Sequence, residues 1–176
     1  MSVLDILIIP NKRLKHKSSK VLSFDINLKN TVKDLFDTLY ASGNGIGLAA
    51  PQVGIEKQII VIDLKEDGEK CPRTFINPKI VEFSETKALN EEGCLSIPGY
   101  YAEVERYKTV DIEWFDINGK INKYKFDGLL SICIQHEIDH LNGILFIDYL
   151  SNLKKRRAYE KVKKNLKKKN DSGESN

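Results

Sequence analysis

The sequence predicts an α+β fold: antiparallel β-sheets packed around a central buried helix, with a further helix at the C-terminal end. Three observations carry that prediction. Short β-branched runs such as "QIIVIDL" and "KTVDIEWFD" recur through the middle of the chain and are bounded by turn residues. A later stretch, "GLLSICIQHEIDHL", is apolar on nearly every face in its first half, as a central helix is. Helical and strand patterns are grouped rather than strictly alternating, which indicates α+β.

Taken in order, Asp25 to Ser42 places Ile26, Leu28, Val32, Leu35, Phe36 and Leu39 at helical spacing, and Gly43-Asn44-Gly45 stops the helix. "QIIVIDL" from Gln58 reads as a buried strand. "RTFINP", "KIVEFSE", "KTVDIEWFD" and "INKYKF" read as four more, with Asn118-Gly119 turning the last two into a hairpin. Asp127 is a suitable N-cap for the apolar helix, and Asn142-Gly143 a suitable stop. From Ser151 a basic helix is expected to about Lys169, followed by a disordered tail over 170–176. Residues 1–150 then form one catalytic domain and 151–169 an appended helix.

The 176 residues suffice for one domain with a proper core. Their 41% hydrophobic and 30% charged content is that of a globular protein. No apolar run approaches the ~20 residues that span a bilayer. The N-terminus places its apolar stretch before its positive charges, the wrong order for a secretory signal, so a cytoplasmic location is expected. Cys71, Cys94 and Cys133 make no paired framework. The net charge of +3 conceals an asymmetry. Residues 154–169 hold ten Lys/Arg and one Glu, a local +9, which leaves 18 basic against 24 acidic residues elsewhere, or −6.

Two of the three histidines fall in "QHEIDH", an H-E-x-x-H pattern. Spacing of four sets His136 and His140 one above the other on a helix, where one metal ion bridges both, and sets Glu137 beside them within reach of water. A catalytic site of this kind needs a third protein ligand. Cys133 shares the helix face, but seven residues to His140 span ~10 Å of axis, too far for a short thiolate arm. Cys133 is better read as a pocket wall. His16 lies in an exposed charged stretch and Cys71 in the polar loop "EDGEKCPR". Various carboxylates are candidates too, but with H-E-x-x-H elsewhere in the chain the choice falls on Cys94, in "EEGCLSIPG", where Gly93 frees the adjacent backbone and Pro98-Gly99 is expected to close the segment in a turn.

The chain at this point resembles the peptide deformylases, metalloenzymes that remove the N-formyl group from nascent polypeptides. Three family motifs occur in order: Gly45-x-Gly47-Leu48-Ala49-Ala50-x-Gln52, Glu92-Gly93-Cys94-Leu95-Ser96 and Gln135-His136-Glu137-x-x-His140. The similarity covers roughly residues 3–160. It implies that Cys94, His136 and His140 hold one divalent metal ion, Fe2+ in the family's usual form, with Zn2+, Ni2+ or Co2+ able to substitute. It makes Glu137 the acid/base, and Gln52 and the backbone N–H of Leu95 the oxyanion donors. By resemblance and helix face together, Gly45, Ile46, Gly47, Leu129, Ile132 and Cys133 are expected around the formyl-methionine, and Asp139, Glu92 and Arg106 around the ligands. The implied partners are nascent formyl-Met polypeptides. Transient ribosome contact through the basic C-terminal helix is expected too, without sequence-specific nucleic-acid recognition and without a membrane.

Three rival readings remain to be weighed. A general metallopeptidase shares H-E-x-x-H but recruits a third His or an acid. A non-catalytic ribosome-binding module would tolerate loss of Glu137 or a ligand, and none is lost. Gly45, Gly47 and Ala50 also fit the G-x-G-x-x-A turn of dinucleotide-binding proteins, but that turn follows a strand and opens a helix. Here a helix precedes the glycines and Pro51 with Gly54 discourages one after them.

Overall fold

The protein is described by a computed structural model covering residues 2–65 and 68–173. Its elements run α1 (Ile26–Ala41), β1 (Gly47–Ala49), β2 (Ile59–Ile62), β3 (Arg73–Phe83), β4 (Lys87–Cys94), β5 (Ile97–Tyr107), β6 (Val110–Phe115), β7 (Ile121–Phe126), α2 (Gly128–Leu141) and α3 (Asn152–Gly173), with short 3-10 turns between. Five strands form one sheet in the order β1-β2-β3-β6-β7, while β4 and β5 form a separate two-stranded ribbon. All named strand pairs are antiparallel.

Local chemistry sets the helix ends. Asp25 caps α1 by accepting the N–H groups of Asn27 and Leu28. Asp127 occupies the N-cap position of α2, as its sequence position predicts, but its side chain makes no capping bond. Apolar periodicity then decides the packing. Leu28, Val32, Leu35 and Leu39 bury one face of α1 against Leu48, Ile59, Val61 and Ile76 of the sheet. On the sheet's other face, Ile60, Ile62, Phe75 and Ile112 meet Cys133, Ile134 and Leu141 of α2. The central helix is thus sandwiched between the sheet and the ribbon, as its all-round apolar first half requires.

Several boundaries differ from the sequence reading. "RTFINP" and "KIVEFSE" are one strand, β3, bent where its register shifts between Ile76 and Lys79. Asn77 sits there at φ 49° and closes its amide on Val21, accepting from its N–H and donating to its C=O. Pro98-Gly99 is not a turn. The turn falls at Leu95-Ser96, and Pro98 and Gly99 lie inside β5. The C-terminal helix continues through residues 170–173, which were expected to be disordered, and 174–176 lie outside the described residues. Its inner face, Ala158 and Val162, packs with Ile97, Phe146 and Ile147, so α3 shares the core of the domain.

Asp148, in the 3-10 turn Phe146–Tyr149, ties three parts of the chain together. It bonds Lys15 near the N-terminus and Lys155 of α3, and accepts the N–H of Leu145. Burial works against its charge, but the two lysines outweigh it and hold the carboxyl below its usual value. A depressed folded pKa contributes stability that is complete above ~4 and is lost as the pH falls through that pKa. Asp148→Asn should therefore lower the unfolding free energy measured in urea at pH 7 by about 1 kcal/mol. The gap from the parent should narrow below pH ~4, as denaturation series at both pH values would register.

Candidate active site

The functional cluster forms where the ribbon meets α2. The turn Leu95-Ser96 reverses the ribbon, and its register shift at Cys94 aims that thiol toward α2. Sγ of Cys94 lies 3.2 Å from Nε2 of His140, which lies 3.2 Å from Nε2 of His136. All three donor atoms fall within 4.8 Å of one another, and among the described residues they are the group so disposed. His16 instead bonds Glu56 on the surface, and Cys71 lends its backbone N–H to Asp63.

The donor set fits a divalent cation. Burial opposes a charge on His136, yet Cys94, Glu92 and Glu137 outweigh it and push its pKa well above normal, so this point attracts positive charge. His140 is pushed well below normal, by burial first and then by the charges of His136, Arg106 and Lys15. Neutral imidazole is the form that ligates. The other nitrogen of His136, Nδ1, meets Glu92 Oε2 at 2.8 Å, which fixes the ring. Arg106 grips Glu92 with Nε (2.7 Å) and Nη2 (3.1 Å) and reaches Asp139 with Nη1 at 2.6 Å. Burial would raise the Glu92 pKa, but His136 and Arg106 bring it down to about 2. Asp139, Glu92 and Arg106 therefore do meet beside the ligands.

Glu137 occupies the next position on α2. Its Oε2 is buried without a hydrogen-bond partner. Burial is the main cause that pushes its pKa to about 7, where a carboxylate both accepts and returns a proton at neutral pH. Its carboxylate is accommodated by a glycine. A Cβ built on Gly47 would lie 2.5 Å from Glu137 Oε1 and 2.8 Å from Cys133 Sγ. The Gly47→Ala variant should fold, since the backbone there is ordinary, but lose about 10²-fold in kcat/KM through displacement of Glu137. Steady-state kinetics beside a melting curve checks both halves. Gly93 is needed for a related reason: the ring of Tyr101 lies where its Cβ would be, at 2.5 Å.

Gln52 is almost fully buried in the 3-10 turn Ala50–Val53. Its Oε1 accepts the N–H of Ala49 at 2.8 Å, which leaves Nε2 as the donor facing Cys94 Sγ (3.4 Å) and Ser96 Oγ (3.2 Å). A cavity of about 340 Å³ opens over the cluster. Gly45, Ile46 and Gly47 line one side, Leu95 and the ribbon another, and Leu129, Ile132 and Cys133 of α2 the third. Ile46 and Leu129 stand at its mouth, 39% and 59% exposed. Two features escaped the sequence reading. Strand β1, three residues long, holds Gly47 by pairing with Ile62. Tyr149 donates to Asp139 Oδ2 at 2.9 Å, a contact between positions ten apart that no motif signals.

A half-buried thiol and two buried imidazoles converging beside a glutamate whose Oε2 lacks a partner, on an α+β scaffold with an open cavity, define a metal-dependent hydrolase. Comparison with known proteins narrows the class. The family described as polypeptide deformylase matches residues 3–156. Peptide deformylase of Brucella suis is 50% identical over 165 residues, covering 93% of this chain and 94% of that protein. Peptide deformylase 2 of Vibrio cholerae is 51% identical over 167 residues, covering 95% and 98%. Among solved structures, a peptide deformylase from Legionella pneumophila superimposes with a TM-score of 0.90 at 40% identity, covering 96% of this chain and 98% of that one. The Ehrlichia chaffeensis enzyme in complex with actinonin gives 0.89 at 44% identity, covering 94% and 98%. The chain belongs to the polypeptide deformylase family.

Proposed function

We propose that the chain removes the N-formyl group from the formyl-methionine of newly made polypeptides, with Cys94, His136 and His140 holding one Fe2+ ion. Zn2+, Ni2+ or Co2+ would suit the same thiolate and imidazole donors. The observation that carries the reading is the convergence of those three donors beside Glu137, in a cavity with an apolar wall and an oriented amide donor. A bound ion supplies Lewis acidity, which polarises a carbonyl and lowers the pKa of water toward neutrality.

The chain's own residues supply the rest. Glu137 takes a proton from the attacking water and returns it to the leaving amine, which gives formate and a free α-amino group. Charge developing on the formyl oxygen is met by the Nε2 donor of Gln52 and the N–H of Leu95. Because Ala49 fixes the amide of Gln52, that donor is aimed before substrate arrives. The methionine side chain takes the apolar slot of Ile46, Leu129, Ile132 and Cys133, with Gly45 and Gly47 permitting close approach of the peptide. Residues 1–150 carry the catalytic groups and α3 completes their core, and the protein acts in the cytoplasm where new chains emerge. Among the described residues, no helix is long and apolar enough to cross a membrane.

The second part of the proposal concerns α3. Arg157, Lys161 and Lys164 stand exposed on α3, outside its buried face of Ala158 and Val162. Such a face suits the phosphate backbone of ribosomal RNA and predicts salt-sensitive contact.

The decisive experiment compares formyl-Met, acetyl-Met and unblocked Met peptides under anaerobic conditions with Fe2+. Formate release from the first alone is expected, and cleavage of an internal peptide bond instead would overturn the reading. For α3, reversing Arg157, Lys161 and Lys164 to Glu should abolish co-sedimentation with ribosomes at low salt. Unchanged retention would remove the helix from ribosome contact.

A further inference from the structure

The 3-10 turn Phe146–Tyr149 lies outside the three motifs, yet it reaches the metal ligands by two routes. Phe146 is buried, with its ring 6.1 Å from the imidazole of His136 and inclined by 30° to it. Tyr149 begins the second route. Its hydroxyl donates to Asp139 Oδ2, the oxygen that also accepts Arg106 Nη1. The Arg106 guanidinium stands 4.9 Å over the Tyr149 ring. From Arg106 the run continues through two bonds to Glu92 and one from Glu92 to His136 Nδ1.

This run of five side chains starts at a second cavity, of about 810 Å³, on the far side of α2 from the active site. Tyr149, Asp139 and Arg106 all line it. Tyr149 is half exposed there, whereas Arg106 and Glu92 are only 5% exposed. The phenol thus stands between water in that cavity and the buried ion pair. Two consequences follow from this position. A carboxylate that accepts from two fixed donors has lost its freedom to rotate, so Asp139 becomes a firm stop for Arg106. Hydrogen bonds shielded from water are also stiffer, because the local dielectric is lower.

We infer that Tyr149 is a positioning residue for His136: its hydroxyl pins Asp139 and its ring roofs Arg106, which together fix Glu92 and the direction of His136 Nε2. The inference rests on Cys94, His136 and His140 being the metal ligands. Tyr149 touches neither substrate nor metal, so its effect is read at the metal.

Tyr149→Phe keeps the ring and removes the hydroxyl. Asp139→Asn removes the charge that holds Arg106, and Tyr149→Leu removes ring and hydroxyl together. Each variant is loaded with Co2+ and measured by d–d absorption, by chelator competition and by melting in the metal-free form. Tyr149→Phe is expected to weaken Co2+ binding about tenfold, the low end for an outer hydrogen-bond partner, and to change the d–d intensities. Its metal-free melting temperature should fall by no more than about 4 °C. Tyr149→Leu and Asp139→Asn should weaken binding further. Unaltered Co2+ affinity and spectrum in Tyr149→Phe, with only a lower melting temperature, would make the turn a packing element and overturn the inference. A parent chain that binds no Co2+ would overturn the ligand assignment itself, and this inference with it.

Discussion

Glu137→Gln should bind its metal as the parent does and lose ~10²–10⁴-fold in kcat, the usual contribution of a positioned acid/base. The substitution preserves shape, and the glutamine amide still fits against Gly47. What vanishes is the proton acceptor. Metal content by elemental analysis and turnover on a formyl-Met peptide, taken on the same sample, separate the two properties. In the parent, activity should fall as the pH drops through the Glu137 pKa, which burial places at about 7. Protonation there removes the base, so the loss lies on the acid side. A glutamine variant that keeps parent-like turnover would end the acid/base assignment.

Cys94→Ser should be as damaging by a different route. Serine offers a hard, weakly coordinating oxygen where cysteine offers sulfur, so the proposed site loses its soft donor. Metal affinity is expected to fall by at least ~10²-fold, and activity should vanish at limiting metal. Cys133→Ser supplies the control. That thiol is buried, burial pushes its pKa up, and it stands outside the group of donor atoms that converge at Cys94, His136 and His140. Its replacement should leave metal content unchanged and raise KM modestly through the cavity wall. Equal metal loss in both variants would contradict the assignment of Cys94.

The site was far more legible in the sequence than the scaffold that delivers part of it. His136, Glu137 and His140 lie within one helical turn and a half, so spacing alone brings them together. Helices α1 and α2 announce themselves because apolar periodicity and stop residues agree over many positions. The ribbon does not. Its outer face carries Lys87, Leu89 and Glu91 opposite Tyr107, Glu105 and Glu103, so charge and apolar residues mix on one side and the alternation is blurred. Pro98-Gly99 looks like a turn because proline is rare inside strands, whereas here it belongs to a ribbon. Strand β1 is three residues long, below what any periodicity detects. Tyr149 was invisible because its partner, Asp139, is set by the path of the chain after α2 and not by spacing along a helix.

One further consequence attaches to the ribbon. Two strands on their own are marginal in water, and among the described residues β4-β5 share no ladder with the five-stranded sheet. The proposed ligands straddle that joint: the thiol rides on the ribbon, and both imidazoles ride on α2, 42 and 46 positions further along. An ion gripped by all three would act as a rivet across the seam, and the supply of that ion would become a variable of local cohesion. Amide hydrogens of β4 and β5 should exchange faster when the ion is stripped, while those of β2 and β3 keep their pace. A cell short of that ion would hold this joint more loosely.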